Sequence, residues 1–287
     1  MQRSTSHSVE VFRADCAELA GVLLGSGSTR LRKLSWCGLR VLDICNAPER
    51  YLNQLEQKGT PPRLSHGFVS PYQPIEFRGA SSDRGSKWFL PGIDSTPFPC
   101  VPSSLIQVLK RDKKLFQDDY LKVSSLMSTH PDCDEVVESG EWQAFIVFGP
   151  QGLHRALQGG FALSCTDLLS HREFCRPFGF CMFLSMGERS SLRPHVGSTN
   201  MRLRCHLGIS APNSSLSLLT VEGITKHWRE GEVVLFDDSF QHSSRNLGGR
   251  SRVVLSIDIW HPLITEEERH VLSAEIFSRF GKFRTIT

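Results

Sequence analysis

From about residue 88 onward the density of apolar residues rises, and after Gly140 apolar and polar positions alternate, which is typical of β-strands that bury one face. The clearest run is 201–209, where the odd-numbered positions are apolar and Arg202, Arg204 and His206 face the other way. Further strands are predicted at 142–148, 178–186, 216–221, 232–236 and 252–259.

Helices are predicted on both sides of these strands. Ser103 can cap a helix whose apolar face extends from Leu105 to Val123. Thr265 and Glu268 form a capping box that opens a second helix, expected to end near Gly281. Short strands separated by turns, with helices before and after them, indicate a mainly β fold such as a small barrel or jelly roll.

The first part of the chain is weakly patterned. A possible helix covers 9–24, and breaks fall at 59–62 and 78–82. For a chain of 287 residues, this predicts an N-terminal extension of unknown role at 1–85 and one main domain at 86–287.

Composition narrows the class of protein. With 39% hydrophobic and 22% charged residues, an ordinary globular protein is expected. A net charge of +3 gives no reason to expect nucleic acid as a partner. No run approaches the roughly 18 apolar residues of a membrane span, so we expect no transmembrane segment. The 9 cysteines contain no C-x-x-C pair, which favours reduced, mostly buried thiols. The lack of a visible signal or membrane segment favours a soluble protein in the cytoplasm, although the sequence leaves the compartment open.

Three residues suggest chemistry. His195 and His242 lie in the strand-rich region, and Arg252 opens the next predicted strand. Imidazoles suit a non-haem iron, and a strand-borne arginine can bind the far carboxylate of an α-keto acid through two parallel hydrogen bonds. Such iron sites usually have a carboxylate two residues after the first histidine, where this chain has Gly197.

Each of these residues also has a plainer interpretation. A single histidine is more often a surface or hydrogen-bonded residue than a ligand. Arg204 and His206 could complete the acid-binding pocket, or, together with Arg202, they could be the solvated face of a strand. Asp237 and Asp238 could merely shape a turn. Only the combination of these residues favours a functional site.

The combination resembles the aspartyl/asparaginyl β-hydroxylase family of Fe(II)- and 2-oxoglutarate-dependent oxygenases. The stretches that carry the resemblance are 194–208, 228–232, 236–242 and 252–262, within a region of about 88–275. The resemblance implies a double-stranded β-helix, a jelly roll of the cupin type. It also implies hydroxylation at the β-carbon of Asp or Asn in a protein or peptide substrate, with O2 as co-substrate.

The resemblance assigns roles to residues of this chain. It implies that His195 and His242 hold Fe(II) and that Arg204, His206 and Arg252 bind 2-oxoglutarate. It also implies that Asp238 is a catalytic residue that holds metal-bound water and that Arg202 binds a substrate carboxylate. Gly197 also agrees with the resemblance, because this family has glycine where most related oxygenases have the carboxylate, and its iron has no carboxylate ligand.

Two departures from the family lie before and after His195. The segment 187–192 lacks the usual turn, and Ser198 replaces a common proline.

Alternatives remain open at this point. A glycine at the carboxylate position is also found in α-keto-acid halogenases. The chain could instead be a non-catalytic jelly-roll binding module, or it could hold structural zinc through His195, His242, Cys205 and His206. The zinc set requires a break in strand alternation, because Cys205 and His206 point opposite ways.

Overall fold

The computed structural model describes residues 20–36, 39–40, 88–149, 152–158, 160–211 and 214–273. They belong to two compact units. One comprises Met1–Asp94, Gly197–Met201 and Leu263–Thr287, and the other comprises Ser95–Val196 and Arg202–Pro262. The predicted boundary between residues 85 and 86 lies outside the described residues and stays a prediction.

The helices that lie wholly within the described residues are few and short. In chain order they are α1 (Ser104–Arg111), α2 (Lys113–Val123), α3 (Cys133–Val136), α4 (Arg155–Gln158) and α5 (Glu266–His270). Short 3-10 helices occur at Leu31–Lys33, Ser124–Leu126, Ser164–Ser170 and Ser214–Leu216. Among the described residues, no helix is long and apolar enough to cross a membrane.

The strands make up most of the described structure. In chain order they are β1 (Ser35–Trp36), β2 (Leu39–Arg40), β3 (Trp88–Phe89), β4 (Ser128–Thr129), β5 (Val137–Ser139), β6 (Trp142–Gly149), β7 (Gly152–Leu153), β8 (Cys181–Met186), β9 (Ser190–His195), β10 (Arg202–Ser210), β11 (Ser217–Val221), β12 (Ile224–His227), β13 (Val233–Phe236), β14 (His242–Asn246) and β15 (Arg252–Trp260).

The unit that includes residue 94 contains a 3-stranded sheet of order β2-β1-β3. Its described N-terminal part includes residues 20–25, which are helical and form the described end of the helix predicted at 9–24. Arg30 Nε donates to Glu268 Oε1 of α5 at 3.0 Å. The capping box predicted at Thr265 and Glu268 is confirmed, whereas the predicted helix end near Gly281 lies outside the described residues.

The other unit contains two antiparallel sheets. The 7-stranded sheet has the order β13-β10-β15-β8-β6-β4, with β7 paired to β6, and the 5-stranded sheet has the order β12-β11-β14-β9-β5. From β8 to β15 the chain repeatedly crosses from one sheet to the other. This winding is that of a jelly roll, so the predicted double-stranded β-helix with flanking helices is confirmed.

The outer face of the larger sheet is covered by helices. Ser103 caps α1 by accepting a hydrogen bond from Ile106 N, as predicted. The single predicted helix is instead two, because it breaks at Asp112, where ψ is 16°. Buried apolar side chains of α1 and α2 pack against alternate residues of the sheet, including Leu203, Cys205, Leu207, Val253 and Leu255.

The inner face of the same sheet points towards the smaller sheet. Val254 of β15 and Phe236 of β13 pack there with Leu192 of β9 and Val221 of β11, so this second core lies between the two sheets. By strand alternation, Arg202, Arg204 and His206 share this inner face, opposite to Leu203 and Cys205. The interior therefore contains charged side chains as well as an apolar core.

Candidate functional site

The two histidines face each other across a pair of neighbouring strands. His195 is the last residue of β9, His242 is the first of β14, and the two are direct partners in the antiparallel ladder. Their ring centroids are 4.2 Å apart. The structure thus brings together two residues that are far apart in sequence.

A bulge determines where His195 points. His242 pairs with His195, but Ser244 pairs with Leu192, so Arg193 and Pro194 together lie opposite Ser243. Proline has no N–H to give to a ladder, and an extra residue in one strand changes which face the following side chains occupy. The bulge therefore turns His195 to the side of buried Leu192 and His242.

Backbone carbonyls fix the tautomer of both rings. His195 Nδ1 donates to Arg193 O at 2.8 Å, and His242 Nδ1 donates to Phe240 O at 2.9 Å. Because a carbonyl can only accept, the proton lies on Nδ1 and the lone pair of Nε2 is left for a ligand. Burial lowers the pKa of His195, and burial together with neighbouring His195 lowers the pKa of His242 to about 3. Both rings are therefore neutral near pH 7, which is the form that binds metals.

Beside this pair lies a group of four charges, which we call the charge cage: Arg202, Asp238 and Asp258 are buried, and Arg204 is partly buried. Arg202 donates from Nη1 to Asp258 Oδ2 at 2.7 Å and from Nη2 to Asp238 Oδ2 at 3.0 Å. Arg204 donates from Nε to Asp258 Oδ1 at 3.0 Å, and its Nη2 lies 3.4 Å from Asp238 Oδ2. Two cations are thus matched by two anions.

For Asp238 and Arg202, the opposite charges of the charge cage shift the pKa further than burial does. Burial alone would raise the pKa of Asp238, but the charges of Arg202 and Arg204 hold it below its usual value. Burial alone would lower the pKa of Arg202, but Asp238 and Asp258 raise it. Arg202 and Asp238 are therefore ionised near neutral pH. One oxygen, Asp238 Oδ1, is buried without a hydrogen-bond partner in the described structure.

Arg252 differs from the arginines of the charge cage. It is only 2% exposed, its guanidinium carbon lies 4.1 Å from the Trp228 ring centroid, and its Nη2 lies 3.1 Å from Met186 Sδ. No carboxylate pairs with it among the described residues. Burial lowers the pKa of Arg252 to about 9, which still leaves a cation near pH 7. A buried cation without an anion is costly and therefore needs an explanation.

More unpaired polar atoms surround Arg252. Several buried polar atoms have no hydrogen-bond partner among the described residues: both ring nitrogens of His206, the indole nitrogen of Trp228 and the hydroxyl of Ser256. We call Arg252, His206, Trp228 and Ser256 the polar wall. Burial, followed by the charges of Arg204 and Arg252, holds the pKa of His206 well below its usual value. His206 is therefore neutral, with one donor and one acceptor.

Ring contacts connect the polar wall to the histidine pair. The His206 ring lies 5.7 Å from the Trp228 ring and 5.0 Å from the Phe236 ring, between centroids. The Phe236 ring in turn lies 5.7 Å from that of His242. The interior thus presents a continuous series of residues from a buried cation to two imidazole lone pairs, which suits a ligand that is anionic at one end.

The structure decides between several of the alternatives. Arg202 and His206 are buried, so the interpretation of this face as solvated is wrong. Asp237 does shape a turn, since its Oδ1 accepts from Ser239 N at 2.9 Å, whereas Asp238 belongs to the charge cage. Cys205 lies in the outer core, so the four-ligand zinc site is wrong. The described residues contain no cluster of three or more metal-binding side chains.

Sequence reasoning gave no role to Asp258, Trp228 or Ser256. For two of them a signal was present, because residues 252, 256 and 258 share one face of a predicted strand that is otherwise apolar. A third histidine, His130, was also missed. It stacks on Trp142 with centroids 3.5 Å apart, and burial together with the charges of Arg204 and His195 lowers its pKa to about 3.

Comparison with known proteins places these residues in a family. A sequence model described as aspartyl/asparaginyl beta-hydroxylase matches residues 108–262. Human aspartyl/asparaginyl beta-hydroxylase is 31% identical over 183 residues, covering 62% of this chain and 24% of that protein. Human aspartate beta-hydroxylase domain-containing protein 2 is 30% identical over 200 residues, covering 64% of this chain and 53% of that protein. The chain therefore spans about a quarter of the first relative and about half of the second.

Similar solved structures give less information than the sequence relatives do. A prolyl-4-hydroxylase from Pseudomonas putida is similar with a TM-score of 0.33 and 13% identity, over 56% of this chain and 88% of that chain. A likeness at that level carries no argument about this protein. The family match is different in kind, because it covers more than half of the chain and includes β9, β10, β14 and β15. The chain belongs to the aspartyl/asparaginyl beta-hydroxylase family.

Proposed function

We propose that this protein is an Fe(II)- and 2-oxoglutarate-dependent dioxygenase that hydroxylates the β-carbon of Asp or Asn residues in a protein or peptide. Family membership supports the reaction type. The observation that carries the proposal is Arg252, a buried cation with no carboxylate partner among the described residues, in a wall of unpaired polar atoms. A ligand with a terminal carboxylate would supply the missing anion.

The histidine pair fits the metal. His195 and His242 are neutral, have Nε2 free and are held by carbonyls through Nδ1, the arrangement that orients histidine ligands in metal sites. Gly197 offers no carboxylate, so two protein ligands would hold the iron. When bound, Fe(II) together with 2-oxoglutarate would supply the oxidising chemistry, with O2 as the oxidant.

The polar wall fits the co-substrate. Arg252 would bind the far carboxylate, and His206, with two unpaired nitrogens, would hydrogen-bond along the ligand. Arg204 is already paired with Asp258 and Asp238, so we assign it a smaller role than Arg252 in binding the carboxylates of 2-oxoglutarate. Removal of water from this interior strengthens each of these contacts.

Asp238 and Arg202 would act beside the histidine pair. Asp238 has one oxygen, Oδ1, without a partner, which would accept a hydrogen bond from water beside the histidine pair. Both terminal nitrogens of Arg202 donate to carboxylates, which leaves its buried Nε for a substrate group. Asp238 would thereby orient water, while Arg202 would mainly fix Asp238.

Mass spectrometry of peptides tests the proposal. Peptides containing Asp or Asn are incubated with the protein, Fe(II), 2-oxoglutarate and O2, and we expect the gain of one oxygen atom together with succinate and CO2. His242→Ala should abolish both products, whereas His270→Ala, on α5, should not. Full turnover by His242→Ala would contradict the assignment. A chlorinated product that requires chloride would instead indicate a halogenase, and no turnover with any peptide would favour a binding module.

A further inference from the structure

Two members of the polar wall have no assigned task. Ser256 is fully buried and its hydroxyl has no hydrogen-bond partner among the described residues. Trp228 is 1% exposed and its indole N–H is likewise unpaired. A buried polar atom without a partner costs free energy, so native proteins rarely keep one without a use.

Their positions place both side chains at the candidate site. Ser256 lies directly opposite His206 in the ladder between β10 and β15, and paired residues in antiparallel strands project to the same face. Trp228 contacts both His206 and Arg252 with its ring. His206, in turn, lies between Arg252 and the histidine pair in the series of contacts. Ser256 and Trp228 therefore occupy the same stretch of the interior as the proposed ligand.

The chemistry of the two groups restricts what they can bind. An indole N–H can only donate, and a hydroxyl donates readily to an anionic or carbonyl oxygen. Next to a buried guanidinium, two further donors favour a ligand rich in acceptor oxygens. An α-keto dicarboxylate has such oxygens along its whole length.

We propose that Ser256 Oγ and Trp228 Nε1 donate hydrogen bonds to the α-keto dicarboxylate that Arg252 binds, and that they contribute to its selection. This inference rests on the proposed function. Ser256 donates at the level of His206, and Trp228 donates beside Arg252 while its ring face supports the guanidinium.

Calorimetry of 2-oxoglutarate binding, with Mn(II) in place of Fe(II), tests the role of Ser256. Loss of a hydrogen bond to a charged group should weaken binding about tenfold in Ser256→Ala. Without ligand, the melting temperature of this variant should stay the same or rise, since the change removes an unpaired buried hydroxyl. Ser185→Ala is the matched control, because Ser185 is also buried but lies on β8 opposite Val253, which belongs to the outer core.

Trp228→Phe provides an independent variant. Phenylalanine keeps a ring beneath Arg252 and removes only the N–H, so 2-oxoglutarate should again bind about tenfold more weakly. The ligand should also change the tryptophan fluorescence of the parent protein more than that of the variant.

The outcomes separate the two proposals. If the parent protein does not bind 2-oxoglutarate, the proposed function and this inference both fail. If the parent binds it and both variants bind it equally well, only this inference fails. A Ser256→Ala variant that is destabilised without ligand, yet binds as tightly as the parent, would show a structural hydroxyl and would also overturn the inference.

Discussion

The charge cage and the polar wall both include side chains from the inner face of the larger sheet, yet ion pairs compensate burial only in the charge cage. In the charge cage, every charge has an opposite charge within 3.4 Å. In the polar wall, Arg252 has no anion, and several polar atoms have no partner among the described residues. Folding pairs the charges of the first group, whereas the second group keeps unpaired polar atoms that the proposed ligand would satisfy.

The difference shows how stability and binding can be separated within one interior. Breaking a buried ion pair is strongly destabilising because it leaves a charge uncompensated. Removing a charge that has no partner relieves a cost instead. Substitutions in the two groups should therefore affect different measurements.

The largest effect on stability is expected for Asp258→Ala. This change leaves Arg202 and Arg204 without one of their two carboxylates, so the free energy of unfolding should fall by about 3–5 kcal/mol, as measured by urea denaturation. Asp118→Ala is a control, since its pair with Lys114 lies at the surface and should be worth at most about 0.5 kcal/mol. Similar losses in the two variants would contradict a buried, cooperative cage.

Arg252→Met should affect ligand binding strongly and stability little. We expect the free energy of unfolding to change by less than about 1 kcal/mol or to increase, because an unpaired buried cation is replaced by an apolar chain. Binding of 2-oxoglutarate, measured by calorimetry with Mn(II), should weaken by at least about 100-fold. Arg202→Met serves for comparison and should be clearly less stable. Equal destabilisation of these two variants would remove the distinction between the groups.

Asp238→Asn sharpens the comparison, because Asp238 has one oxygen in the charge cage and one without a partner. The loss of charge should lower the free energy of unfolding by about 1–2 kcal/mol. Affinity for Mn(II), followed by electron paramagnetic resonance, should fall roughly tenfold if Asp238 orients water beside the histidines. Unchanged metal affinity would confine Asp238 to the charge cage.

The smallest expected effect is a loss of stability at acid pH. Folding lowers the pKa of Asp238, so its contribution to stability is complete above about pH 4, the ordinary range of an aspartate, and is lost as the pH falls further. Between about pH 4 and pH 3 this should remove about 1 kcal/mol. Urea denaturation of Asp238→Asn should show a flatter acid limb than the parent. Parallel curves would argue against a depressed pKa.

The sequence predicted the strands that have regular alternation. The strand predicted at 201–209 is β10 (Arg202–Ser210), with the predicted division between its faces, and the strand predicted at 252–259 is β15 (Arg252–Trp260). Alternation was informative there because both strands separate an outer apolar core from a polar interior. The role of each interior side chain, in contrast, depends on its cross-strand neighbours.

The two strands that carry the histidines were not predicted. β9 (Ser190–His195) and β14 (His242–Asn246) are mostly polar, and the bulge in β9 interrupts what alternation there is. Pairing of Arg202 and Arg204 with Asp258 was also beyond sequence reasoning, since it follows from the register of β10 on β15. The candidate residues could therefore be named from motifs, but not their partners.

The bulge in β9 absorbs one surplus residue, because two residues separate Leu192 from His195 and only one separates Ser244 from His242. Without the bulge, a chain of the same length would bring Pro194 opposite His242, and His195 would project to the opposite face of the sheet. The sheets and the apolar cores do not depend on Arg193, whose side chain is exposed. Deleting Arg193 would therefore give a regular ladder in which His195 still faces His242, so the histidine pair tolerates the loss of the surplus residue but not the straightening of β9 at its present length.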